Sequence, residues 1–185
     1  MVDTSSWDRF PLAQLVSKVE EARNKGKYAF ILDYQGNVPT FFQYKGRLIE
    51  FNKEKLKTQT GSQTKDEALD AIRKAFIFAM KQGDLLCVHL DVLNVDFKAE
   101  FKDDAIFNAD KFFEFASFRD NDKQIYLPYV KDEENSGIGG LNPGHYRVNE
   151  SFGACICSTI KDADEIAALL ASIPHIDNFE KFIIE

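Results

Sequence analysis

The stretch that most constrains this chain runs from Asp84 to Phe97, Asp-Leu-Leu-Cys-Val-His-Leu-Asp-Val-Leu-Asn-Val-Asp-Phe. Between Leu85 and Val92 only His89 and Asp91 are polar. An apolar run of that length directly after Gly83 predicts a strand over 85–92 that is buried on both faces. In the segment before it, Ala68, Leu69, Ile72, Ala75, Phe76 and Ala79 recur at helical spacing. Thr64 suits the N-cap of that helix, Glu67 three residues on completes a capping box, and Gly83 suits the stop. A helix followed by a buried strand is half of a βαβ unit. Asp91 then falls near the strand's C-terminal end, where open α/β sheets gather ligands.

The rest of the chain fits that pattern. Pro11–Asn24 predicts a helix with Leu12, Leu15, Val16, Val19 and Ala22 on one stripe, stopped at Gly26. Tyr28–Asp33 is a short apolar run ending in an acid and predicts a central strand. Gly36 and Asn37 turn the chain, Pro39 opens a short helix, and Arg47–Phe51 predicts a second strand. The polar stretch 52–63, with alternating Lys53, Lys55 and Lys57, reads as a solvated loop. Phe97, Phe101, Phe107, Phe112, Phe113, Phe115 and Phe118 crowd one window and read as core filler between short helices and the sheet. Ile125–Val130 reads as extended, with Pro128 marking an edge. A further strand is predicted at 152–160, a helix over 161–172 and a last strand at 179–184. Helices alternate with strands 28–33, 47–51, 85–92, 152–160 and 179–184, which implies an α/β fold with a mostly parallel five-stranded sheet sandwiched by helices.

Composition narrows the function classes. The chain has 185 residues, enough for its own core, and 17 of them are Phe. A net charge of −7 argues against nucleic acid or an anionic membrane as partner. No apolar stretch approaches the roughly 20 residues of a membrane span, and the start, Met-Val-Asp-Thr-Ser-Ser-Trp-Asp, has no signal-peptide pattern. Cys87, Cys155 and Cys157 lie in apolar runs and read as reduced, buried core residues of a cytoplasmic protein. Cys155-Ile-Cys157 alone is poor zinc spacing, so no metal is expected. The glycine-rich stretch 135–144 does not lead from a strand into a helix and lacks a Gly-Lys-Ser/Thr ending, so it reads as a flexible surface loop. His145 beside it has no recognisable nucleophile to serve.

Five pieces of the chain, in order, resemble the AAA+ modules of dynein heavy chains, above all the degenerate fifth module of the motor ring. Residues 30–42, Phe-Ile-Leu-Asp-Tyr-Gln-Gly-Asn-Val-Pro-Thr-Phe-Phe, look like that module's apolar-Ile-Asp-Pro-Gln-Gly-Gln stretch and the helix after it. Ala71–Leu86 and Val92–Phe101 are similar to two consecutive family segments, and Phe152–Ile160 and Ile176–Ile183 to its last two strands. The resemblance spans about residues 28–185 and leaves 1–27 as an N-terminal helical segment of a single α/β domain. It implies a P-loop-like sheet. Strand 28–33 is then central beside 152–160, with 85–92 on the far side of 152–160 and 179–184 flanking 28–33.

The departures from the family pattern decide the expected chemistry. A working Walker A loop needs glycines, a Lys on the β/γ-phosphates and a Ser or Thr on magnesium. The matching loop here is Gln35-Gly-Asn-Val-Pro-Thr40, with Thr40 where the Lys belongs and Pro39 removing an amide donor. Asp91 is followed by Val92, not by the Glu of a Walker B pair, and Thr159 falls near a sensor position. The degenerate pocket would comprise Asp33, Gly36, Thr40, Asp91 and Thr159, with no catalytic residue, no cofactor and no metal. Asp91, as a lone carboxylate, is expected to bond the N-terminus of the next helix. The implied function is a non-catalytic structural or interaction protein. Its partners would be other proteins of a dynein-related, microtubule-associated assembly of the ciliary axoneme. The competing readings are a divergent nucleotide-binding protein, NTPase or nucleotide kinase, and an α/β domain of unrelated lineage.

Overall fold

The computed structural model describes residues 3–185. Strand β1 (Asp8–Phe10) opens the chain, and a 3-10 turn over Leu12–Gln14 leads into α1 (Leu15–Asn24). There follow β2 (Ala29–Asp33), α2 (Val38–Lys45), β3 (Arg47–Glu50), α3 (Phe51–Gln59), α4 (Lys65–Gln82) and β4 (Leu85–Asp91). Three single-turn helices, α5 (Phe97–Glu100), α6 (Ala109–Phe112) and α7 (Phe115–Phe118), punctuate an irregular crossover to β5 (Gly153–Ser158). Helix α8 (Ala163–Ser172) and β6 (Glu180–Ile184) complete the chain. No helix among the described residues is long and apolar enough to cross a membrane.

All pairings in the sheet are parallel, and its order is β1-β6-β2-β5-β4-β3. The sheet therefore has six strands, not five: Asp8–Phe10 pairs with Phe182–Ile184, so the N-terminal segment is not helical alone. Its three residues are too short, and Asp8 and Arg9 too polar, to show an apolar run. Strands β6, β2, β5 and β4 take the relative order expected of them, and β3 adds to the far edge beside β4. The two central strands, β2 and β5, are buried at every position.

Strand alternation divides the interior into two layers. Tyr28, Phe30, Leu32, Val88 and Ile156 face α4, α8 and the Phe-rich crossover. Ala29, Ile31, Cys87, Cys155 and Cys157 face α1 and α2, where they meet Leu15, Val19, Val38 and Phe42. The Phe-rich window is core filler as expected: Phe97, Phe107, Phe112, Phe113 and Phe118 are at most 2% exposed. Their rings interlock with centroids 4.2 Å apart for Phe112–Phe118 and 4.5 Å for Phe107–Phe112.

Helix α4 has the ends that its sequence foretells. The Thr64 hydroxyl accepts from the Glu67 amide, and a Glu67 carboxylate oxygen accepts from the Thr64 amide at 2.7 Å. Gly83 closes the helix at φ 79°, and Asn149 sits so close that an added Cβ would meet its side chain at 2.7 Å. The helix also buries Arg73, which a hydrophobic periodicity does not reveal. Its guanidinium donates to Asp70, to both Glu134 oxygens and to the Tyr129 carbonyl. Burial works against charge on Asp70, but hydrogen bonds from Arg73, Lys131 and Lys74 hold its carboxyl far below the usual range.

Two segments differ from expectation. Residues 51–59 form α3, not a loop. Phe51 anchors it against Phe97 and Phe101 with centroids 5.3 and 4.7 Å away, and Lys53–Glu50 and Lys57–Glu54 pairs at 2.6 Å line its outside. Lys, Glu, Leu and Gln are good helix formers, and a helix at the sheet's edge needs few buried residues. Leu127–Tyr129 is a 3-10 turn, not an extended edge. Tyr126 and Tyr129 thereby both turn inward, with Pro128 on the turn between them.

Phe76 sits within the α4 stripe, 1% exposed, with the rings of Phe107, Phe112 and Phe113 around it. Phe76→Ala is expected to lower unfolding free energy by roughly 3–5 kcal/mol in urea titration. A loss under about 1 kcal/mol would mean that this stripe is not core.

Candidate functional site

The strand order reverses between β2 and β5: the chain leaves β2 toward β3 on one side and leaves β5 toward β6 on the other. The crevice beyond their C-terminal ends is the place where such sheets bind ligands. The end of β2 carries Asp33 and the loop after it Gly36, the end of β4 carries Asp91, and the loop after β5 carries Thr159.

Asp33 is fully buried, and its carboxylate turns back onto its own loop. One oxygen accepts from the amides of Gln35 at 3.1 Å and Gly36 at 3.0 Å. The other accepts from Val38, the first residue of α2, at 2.7 Å. Gly36 makes this possible by adopting φ 73°, which costs glycine nothing. The turned-in amides and the positive end of α2 form an anion cradle of the kind that holds phosphate elsewhere. Here the anion is supplied by the chain itself.

Asp91 has φ 57°, in the left-handed region that Asp tolerates, and the pairing of β4 with β5 slips between His89 and Asp91. The slip aims its carboxylate sideways. One oxygen accepts from the Thr159 hydroxyl at 3.1 Å and the other from the Asn52 amide group at 3.2 Å. The Ser158 hydroxyl and the Thr159 amide donate to the Asp91 carbonyl at 3.0 and 2.9 Å. Asp91 therefore bonds side chains of α3 and of the loop after β5, rather than a following helix N-terminus. Asn52 escaped the sequence because its segment read as loop.

The structure thus makes two local clusters of four of the five pocket residues, Asp33 with Gly36 and Asp91 with Thr159. Thr40 stands apart, exposed on the outer side of α2. In both clusters each carboxylate oxygen accepts at least one hydrogen bond from the protein. Among the described residues no group of three or more His, Cys, Asp or Glu is placed to hold a metal ion. The three cysteines are free and buried, and burial pushes the Cys87 and Cys157 thiols up, away from thiolate. Two surface cavities lie away from this crevice, one between α3 and α4 and one between α4 and the loop 133–140. That loop lies at the surface, as expected, and carries hydrogen bonds of its own. Gly137 donates to the Leu141 carbonyl at 2.6 Å, Gly144 donates to the Asn135 carbonyl at 2.7 Å, and Lys81 of α4 bonds Ser136. His145 beside it is exposed.

His89 is a second residue near this crevice, after Asn52, to which sequence reasoning gave no role. It is 7% exposed, and neither ring nitrogen has a hydrogen-bond partner. In register it lies between Glu50 of β3 and Cys157 of β5. Burial lowers its pKa, against the opposing pull of Asp91, Glu50 and Asp33. The unfolded chain, with an ordinary His near 6.5, then binds the proton more readily than the fold does. Stability is accordingly full above about pH 6.5 and declines as pH falls below it. Chemical denaturation at pH 7.5 and 5.5 should show this loss, and His89→Leu should remove most of the difference over that interval. An unchanged slope in the variant would assign the dependence to other groups. No protein-family model matches the chain, and neither does any curated protein or solved structure.

Proposed function

We propose that this chain is a non-catalytic P-loop-like module that serves as a structural or interaction subunit. The observation that carries this reading is the Asp33 carboxylate lodged among the amides of Gln35, Gly36 and Val38. Phosphoryl transfer is catalysed almost wholly by positioning and charge neutralisation. A buried carboxylate in the cradle repels an incoming phosphate, and Thr40 brings no cation to offset it. Asp91, already bonded to Asn52 and Thr159, would have to give up a donor to hold a magnesium-bound water. The order of β6, β2, β5, β4 and β3 supports the P-loop-like part of the reading. The likeness to a degenerate dynein module supports a place in a ciliary axonemal or dynein-related assembly, with other proteins as partners.

Calorimetry with magnesium-ATP and magnesium-GTP is the direct test, and no binding is expected. Micromolar binding by the unaltered chain, abolished by Asp91→Ala, would instead favour a divergent nucleotide-binding protein. Asp33→Ala should cost about 2–3 kcal/mol in unfolding free energy, because it strips acceptors from three amides at once. A neutral result would show that the loop does not depend on its carboxylate. Co-sedimentation with axonemes tests the cellular placement, and the chain is expected in the pellet.

A further inference from the structure

The surface between α3 and α4 holds a cavity of about 280 Å³. Its floor is apolar: Phe51, Ala68, Ile72 and Phe101 all line it. The Phe51 and Phe101 rings meet edge to face there, with centroids 4.7 Å apart. The space equals about nine waters' share of liquid volume, and a lining this apolar gives water few partners. It lies just past the C-terminal end of β3, on the rim of the sheet where α/β folds gather ligands.

The charges at its mouth are unevenly engaged. Glu54 is spoken for, since its carboxylate accepts from Lys57 at 2.6 Å and from Gln63 at 2.7 Å. Lys55 and Lys65 line the same cavity, and among the described residues neither side chain makes an ion pair or a hydrogen bond. Glu100 is likewise unengaged. Two lysines and two carboxylates line the mouth. With Glu54 neutralised by Lys57 from outside the lining, two unpaired cations face one unpaired carboxylate, a local excess of positive charge on a chain that carries −7 in all. An apolar floor beneath such a rim matches an amphipathic anion, its body against the rings and its head between the lysines.

We propose that this cavity is a binding site for a medium-chain or aryl monocarboxylate. The site is separate from the β2–β5 crevice and does not rest on the reading given above for that crevice. Octanoate is the probe, and octanol, of the same length but uncharged, is its control. Titration of the full chain, followed by calorimetry and by the shift of melting temperature, should give saturable binding of octanoate and weaker binding of octanol. The double variant Lys55→Glu, Lys65→Glu should weaken octanoate about five- to tenfold, the sum of two partly exposed charge contacts, and leave octanol unchanged. Both lysines are at the surface, so the variant keeps the fold, which circular dichroism verifies. Ala68→Leu, which fills the floor, should weaken both ligands. No saturable binding of octanoate, equal binding of octanol, or octanoate binding indifferent to the charge reversal would each overturn the proposal.

Discussion

A sheet whose strands all run parallel cannot leave either face to water. Every crossover between its strands must pass over one face or the other, and both must be covered by side chains that fit. That requirement governs this molecule. One face is closed economically by α1 and α2 over small residues, Ala29, Cys87, Cys155 and Cys157 among them. The other carries larger side chains and is covered by α4, α8 and an irregular crossover that contains only single turns of helix. The crossover substitutes aromatic rings for regular helix packing. Interlocked Phe and Tyr rings bury much area with few rotatable bonds, so a segment poor in backbone regularity can still be fixed in place. Arg73 finishes the task, tying α4 to the Tyr129 carbonyl and to Glu134 at the far side of that crossover.

Most of this was legible in the residues. The runs at Tyr28–Asp33 and Leu85–Asp91 are apolar without alternation, as strands covered on both sides must be, and Thr64, Glu67 and Gly83 mark the ends of α4 in plain view. What was not legible has physical reasons. Strand β1 takes its place from pairing with β6, not from its own three residues. Helix α3 has one fully buried residue, Phe51, so its periodicity carries no signal, and its lysines read as solvent exposure alone. Arg73 lies on an apolar stripe only because its partners arrive from some sixty residues away in sequence.

The candidate site was legible in its residues but not in their relations. Asp33, Gly36, Asp91 and Thr159 do gather at one end of the sheet. The sequence spacing could not show that Asp33 would fold back onto amides two to five residues ahead, or that a slip in register would hand Asp91 to Asn52 and Thr159. Each oxygen of both carboxylates accepts a hydrogen bond from within the protein. The same groups that would bind a ligand in an open loop are here the fasteners of a closed one.

The close fit of the three thiols under α1 and α2 bears on how this protein is lost. While the sheet is closed they are shielded, and desolvation of Cys87 and Cys157 disfavours the reactive thiolate. When the sheet opens, all three are released together. A single oxygen or a mixed disulfide added at that moment has no room in a layer built for sulfur and small side chains, so reclosure is blocked. Opening then acts as a ratchet: in an oxidising setting the lifetime of the fold follows the population of the opened sheet, and follows the opening rate itself only where oxidation outpaces reclosure.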